Sequence, residues 1–128
     1  MKIKLLTLTA IVAGILAIAS TANAATCEGG TLATGENGHE YCQSNNYMNW
    51  WSAYTWCEAN GRHMASIYEI CPTWDGSSII CNVNNAISSD VYYWTSTAYG
   101  TDTAFHFDRR NSYTSKYTRN ATLRAFCY

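Results

Sequence analysis

Aliphatic side chains are scarce in this chain, and proline is nearly absent: Pro72 is the only one in 128 residues. After residue 24, Leu, Ile, Val and Phe together number only 12 of 104 residues. Such a deficit combined with high charge means disorder. Charge is scarce as well, at 13% of residues, so disorder of that type is excluded. No Gly-x-Ser-x-Gly or His-Glu-x-x-His occurs, which leaves neither a nucleophile elbow nor a zinc-protease helix. No Cys-x-x-Cys occurs, and no two cysteines lie closer than ten residues, so the spacing of a zinc site is missing.

Aromatic residues and cysteines fill the gap. The chain holds 10 Tyr, 5 Trp and 6 Cys, all of them beyond residue 24. The core is therefore expected to be aromatic and stapled. Tyr, Ser, Asn and Gly together suit a contact surface, because Tyr adds rigid amphipathic area and the others add adaptable hydrogen bonding.

Residues 1–24 read as a secretory signal peptide, with Lys2 and Lys4 before an apolar run, Leu5 to Ile18, and Ala22-Asn23-Ala24 as an A-x-A cleavage site. Residues 25–128 form a single domain by length. Six basic residues against nine acids give that domain a net charge of −3. No nucleic-acid partner and no membrane insertion of the mature chain are expected. Six cysteines in a secreted chain of this size imply a disulfide framework with 15 formal pairings, and a secreted, periplasmic or cell-surface location.

The segment from Cys27 to Cys42 is glycine-rich and reads as short strand and turn. Trp50, Ala53, Tyr54 and Cys57 share one helical face, which predicts a helix over about Trp50 to Asn60. Asn49 or Asn46 can cap its start, and Gly61 can follow its end. Ser66-Ile67-Tyr68-Glu69 is a capping box opening a short second helix, which must stop at Cys71-Pro72. Trp74 to Asn85 reads as a loop, largely bracketed by Cys71 and Cys81, for which a local bridge is the economical pairing.

From Tyr92 the period is two. Tyr92 to Thr97, Thr103 to Asp108, Ser112 to Tyr117 and Leu123 to Tyr128 read as strands, with a turn at Asp108 to Asn111. The fold class is α+β, with two helices and a small twisted antiparallel sheet.

These segments resemble the C-type lectin-like family. Trp50-Trp51-Ser52-Ala53-Tyr54-Thr55-Trp56-Cys57 looks like its W-x-x-A-x-x-x-C helix, and Met64-Ala65-Ser66-Ile67-Tyr68-Glu69-Ile70 like the opening of its second helix. Tyr93-Trp94-Thr95-Ser96-Thr97 and Leu123-Arg124-Ala125-Phe126-Cys127 look like its sheet. The likeness covers roughly Cys42 to Tyr128 and is greatest to secreted bacterial branches. It implies Cys57–Cys127 as the central disulfide and Cys27–Cys42 as the N-terminal one. Cys71–Cys81 departs from the animal lectins. The family's calcium motifs, Glu-Pro-Asn or Gln-Pro-Asp and Trp-Asn-Asp, are absent. Asp75, Asp90, Asp102 and Asp108 are scattered, whereas calcium needs several oxygen ligands close together. No metal and no cofactor are expected.

Catalysis is not expected either. A Cys–His nucleophile needs a free thiol, and an even cysteine count argues against one. His39, His63 and His106 read as surface or strand residues. Asp108-Arg109-Arg110-Asn111 is the densest charge cluster; it reads as a hairpin turn or, with Tyr113 and Tyr117, as a recognition patch. Trp50, Trp56 and Trp94 are assigned to the core, and Trp74 and Tyr99 to exposed loops. The candidate ligand-binding residues are therefore Trp74, Tyr99, Asp102, His106, Asp108, Arg109, Arg110, Asn111, Tyr113 and Tyr117. Phe105 and Phe107 would face inward, and His106 and Asp108 toward solvent. A protein or glycan ligand is expected, bound without calcium. The alternatives are a structural subunit of a pilus or surface assembly, and a small secreted hydrolase.

Overall fold

A computed structural model describes residues 24–34, 38–77, 92–108 and 113–128. Residues 1–23 of the expected leader, 1–24, lie outside them, as do Cys81, Arg109, Arg110 and Asn111. The described elements are β1 (Gly30–Thr34), β2 (Glu40–Met48), α1 (Trp50–Ala59), α2 (Ile67–Ile70), β3 (Tyr92–Tyr99), β4 (Thr103–Asp108), β5 (Tyr113–Thr118) and β6 (Leu123–Cys127).

Both helices start as their sequences direct. The Asn49 side chain accepts from the Ser52 N–H at 2.9 Å, capping α1. Ala53 and Cys57, four residues apart, are its buried positions. Gly61 follows the helix at φ 68°, the left-handed conformation that glycine adopts without a Cβ penalty. At α2, Ser66 Oγ accepts from the Glu69 N–H at 3.1 Å, and Glu69 Oε1 accepts from the Ser66 N–H at 2.9 Å.

The sheet has six strands in the order β1-β2-β6-β3-β4-β5, so the expectation of a small sheet is corrected. All described neighbours are antiparallel except β3 and β6, which are parallel. The additional strand is β2, Glu-Tyr-Cys-Gln-Ser-Asn-Asn-Tyr-Met, which has no clean alternation and poor strand formers. Tertiary contacts make it a strand. Pairing with β1 and β6 buries Tyr41 to Ser44 in succession. Its buried polar groups find partners: the Tyr93 hydroxyl donates to Gln43 Oε1 at 2.7 Å, and the Ala125 N–H to Ser44 Oγ at 2.8 Å.

A register shift in β3, between Trp94 and Ala98, joins the helices to the sheet. Thr95 O accepts from the Trp50 indole N–H at 2.9 Å, Ala65 O accepts from the Ser96 N–H at 2.9 Å, and Thr97 Oγ1 accepts from the Ile67 N–H at 2.9 Å.

The sheet separates two buried clusters. One joins Cys42, Ala53, Cys57, Met64, Trp94, Ala104, Leu123, Ala125 and Cys127, where α1 packs. The other is aromatic and includes Tyr41, Tyr93, Phe107 and Phe126, with Ile67 of α2. Trp94 is fully buried, and Trp50 and Trp56 pack partly buried against its cluster, as expected of core tryptophans.

Cys57–Cys127 and Cys27–Cys42 are bonded, as the resemblance implied, across 70 and 15 residues. Gly30 opens β1 beside the latter bridge. A Cβ there would lie 2.5 Å from Gln43 O and 2.9 Å from Cys27 Sγ, so only glycine fits. Cys71 is also disulfide-bonded, while its expected partner, Cys81, lies outside the described residues. Bridges of this kind persist in oxidising compartments. Among the described residues, no helix is long and apolar enough to cross a membrane.

Candidate functional site

Strands β3, β4 and β5 line a cavity of about 520 Å³ on the face of the sheet that also carries Trp94 and Ala104. Strand pairing builds it. Tyr92 lies opposite Asp108, Asp108 opposite Tyr113, His106 opposite Ser115, and Ala104 opposite Tyr117. Directly paired residues share a face, so these side chains converge. Tyr92, Tyr113 and Tyr117 are each partly exposed and form the rim.

His106 and Asp108 form the floor. At 3% and 4% exposure they are buried, which corrects the expectation that they face solvent. The alternation was right, but the second face is covered by tyrosines rather than water. The His106 ring packs 5.4 Å from Tyr92 and 5.0 Å from Tyr117, centroid to centroid. Its Nδ1 is buried and meets no hydrogen-bond partner among the described residues. Burial pushes its pKa down to about 4, and the nearby Asp108 carboxylate offsets only part of that. The imidazole is therefore neutral at pH 7.

Four of the ten expected ligand-binding residues thus meet here: His106, Asp108, Tyr113 and Tyr117. Tyr92, Ser115 and Lys116 also line the cavity and were missed. The signal for Tyr92 was present, since it has the same parity in its strand as Trp94 and pairs with β4 through Asp108. Lys116 adds to the wall, but its ammonium lies 3.5 Å over the Tyr99 ring on the opposite face.

Tyr99 and Trp74 belong to that opposite face. Trp74 is half-buried rather than projecting: its ring meets Tyr68 at 5.3 Å and Phe105 at 5.2 Å, and its indole N–H donates to Ser77 O at 2.8 Å. Phe105 continues to Tyr99 at 5.7 Å, so four rings run edge to face in a row. Asp102 stands exposed in the turn between β3 and β4, where its backbone carbonyl accepts from the Arg119 N–H at 2.8 Å. Arg109, Arg110 and Asn111 lie outside the described residues.

Comparison of the chain with protein-family models, curated proteins and solved structures finds no match. The functional argument therefore rests on the cavity and its surroundings. No group of three or more His, Cys, Asp or Glu side chains able to hold a metal ion occurs among the described residues. Two histidines outside the cavity have structural contacts. His63 pairs with Glu69 at 2.6 Å, and His39 stacks on Tyr128 at 3.5 Å. Burial raises the Glu69 pKa, but hydrogen bonds from Ser66 and His63 outweigh it and leave the carboxyl below its usual range.

Proposed function

We propose that this chain is a secreted C-type lectin-like module that binds a protein or glycan, without calcium, through β4, β5 and the tyrosine-rimmed cavity. The order of the two helices, the strands and the Cys57–Cys127 bridge supports the family reading. The observation that carries the function is the rim: Tyr92, Tyr113 and Tyr117, each more than two-fifths exposed, surround a buried polar floor. Tyrosines with an apolar body and a wet hydroxyl are the side chains that recognition surfaces use. A plug serving only assembly has no need of such a rim.

A histidine beside a carboxylate in a cavity also invites the hydrolase alternative. A general base works best with a pKa near the working pH. At about 4, His106 is a weak base, which favours binding over catalysis. The test is a glycan and protein array probed with the purified, disulfide-bonded chain, followed by Tyr113→Ala and Tyr117→Ala. The expected result is a ligand whose binding both variants weaken. A ligand bound with full affinity by both variants would place the site elsewhere, first at the Trp74 to Asn85 loop.

A further inference from the structure

We propose that the outward side of α1 is a second binding site, separate from the tyrosine-rimmed cavity, and that it takes a neutral saccharide in a groove lined by Trp51 and Trp56. The make-up of the helix supplies the first part of the argument. Ala53 and Cys57 are its buried positions, so the rest of the helix faces outward in whole or part. The outward side of a surface helix is normally charged or polar. Here it carries three tryptophans and a tyrosine, with Glu58 as its one charge. Trp51 is 46% exposed.

The indole N–H groups supply the second part, because they divide the five tryptophans. Those of Trp50, Trp74 and Trp94 donate to Thr95 O, Ser77 O and Met48 O. Those of Trp51 and Trp56 have no partner among the described residues, and neither has the Ser52 hydroxyl. These three residues, with Thr55 and Ala59, line a shallow groove of about 440 Å³. Small-ligand sites span about 300 to 1,000 Å³. The groove is also braced. A Cβ on Gly30 would lie 2.8 Å from Trp56 Cη2, so the Trp56 ring packs on the start of β1 beside the Cys27–Cys42 bridge. A ring held in place before binding loses little freedom on binding.

The third part is the choice of occupant. A pyranose with equatorial hydroxyls has an apolar C–H face and a hydroxyl edge. The face suits the electron-rich face of an indole, and the hydroxyls suit unused N–H and O–H groups. No charged side chain lines the groove among the described residues, which matches a neutral ligand. Five lining residues fall well short of the roughly 20 to 30 per partner of a stable protein interface, so a small ligand fits better than a second copy of the chain. A membrane-surface helix uses Lys and Arg to engage anionic lipid, and α1 has neither.

The test uses the full disulfide-bonded chain. The probes are cellobiose and N,N′-diacetylchitobiose, with sorbitol as a polyol that has no ring face. Binding is followed by the NMR signals of the indole N–H groups. Both sugars are expected to move the Trp51 and Trp56 signals and to leave those of Trp74 and Trp94 in place. Trp51→Ala is expected to weaken binding about tenfold, as loss of one stacking contact permits. Trp51 is exposed, so this variant keeps the test alive if Trp56→Ala fails to fold. Tyr117→Ala, in the cavity, should leave sugar binding unchanged; a tenfold loss there would move the sugar to the cavity and overturn the α1 site. Equal shifts with sorbitol, or no shift with either sugar in the folded chain, would overturn it too. Signals that move with chain concentration instead, alongside a dimer in sedimentation, would make a second copy the occupant and overturn the saccharide.

Discussion

The two ends of the sheet are built on different principles. At the β1-β2-β6 end, the chain is held covalently and by buried polar pairs: Cys27–Cys42, Cys57–Cys127, Tyr93 to Gln43, and Ala125 to Ser44. At the β4-β5 end no disulfide occurs among the described residues; ring packing, strand pairing and the buried Thr114 hydroxyl, which donates to His106 O at 2.7 Å, hold the strands, and Tyr113 and Tyr117 stay exposed. A chain with so few aliphatic residues cannot stabilise both ends by burial alone.

Removing the central bridge should break the comparison most severely. Replacing Cys57 and Cys127 by alanine opens a loop of 70 residues, which the chain-entropy model values at roughly 4 kcal/mol. The Cys27–Cys42 pair, over 15 residues, should cost about 3 kcal/mol. Denaturant unfolding of both variants checks the order, and a milder loss at Cys57–Cys127 would contradict it.

The opposite end should respond in binding rather than in folding. Tyr113→Ala is expected to cost about 2 kcal/mol in ligand affinity. Its unfolding free energy should change by about 0.5 kcal/mol, since Tyr113 is exposed. Calorimetry on the ligand found by array and a melt of the same variant read the two effects.

A subtler change sharpens the contrast. Tyr93→Phe keeps the ring but leaves Gln43 Oε1 buried without the hydroxyl that donates to it. A loss on the order of 1 kcal/mol in stability is expected, with ligand affinity unchanged. Loss of affinity in a fully folded Tyr93→Phe protein would show that the two ends are coupled.

The pH dependence reports on the cavity floor. His106 has its folded pKa lowered from 6.5 to about 4, so the unfolded state binds more protons between those values. Its contribution to stability is complete above pH 6.5 and is lost as pH falls toward 4. Across that window the wild type should lose stability more steeply than His106→Asn, by up to about one proton in slope. Equal slopes would show that the buried histidine is not the group titrating. The smallest effect expected is none at all: a chelator should leave the melting temperature unchanged, because the calcium motifs are missing from the sequence.

Much of the stapled end could be read in advance. The helix face of Trp50, Ala53 and Cys57, the Asn49 cap, Gly61 and the Ser66–Glu69 capping box are local signals, each complete within a few residues. The bridges followed from the resemblance rather than from spacing. Strand β2 could not be read, because its Gln43, Ser44 and Asn45 acquire their reason only from partners about 50 to 80 positions away or across a hairpin. At the other end, the alternation of Phe105 and Phe107 with His106 and Asp108 was legible, but not what covers each face.

The sequence by itself determined an α+β chain, an aromatic core held by disulfides, two capped helices and a tyrosine-rich C-terminal half. Those properties depend on composition, periodicity and contacts between near neighbours. The tertiary structure alone decided that four of the ten candidate residues meet in one cavity, that Tyr99 and Trp74 stand behind it, and that His106 lies buried and neutral. Which residues share a face depends on strand order and register, and which of two faces is covered depends on the neighbouring strands. Both are set by pairings between distant segments, which no local pattern contains.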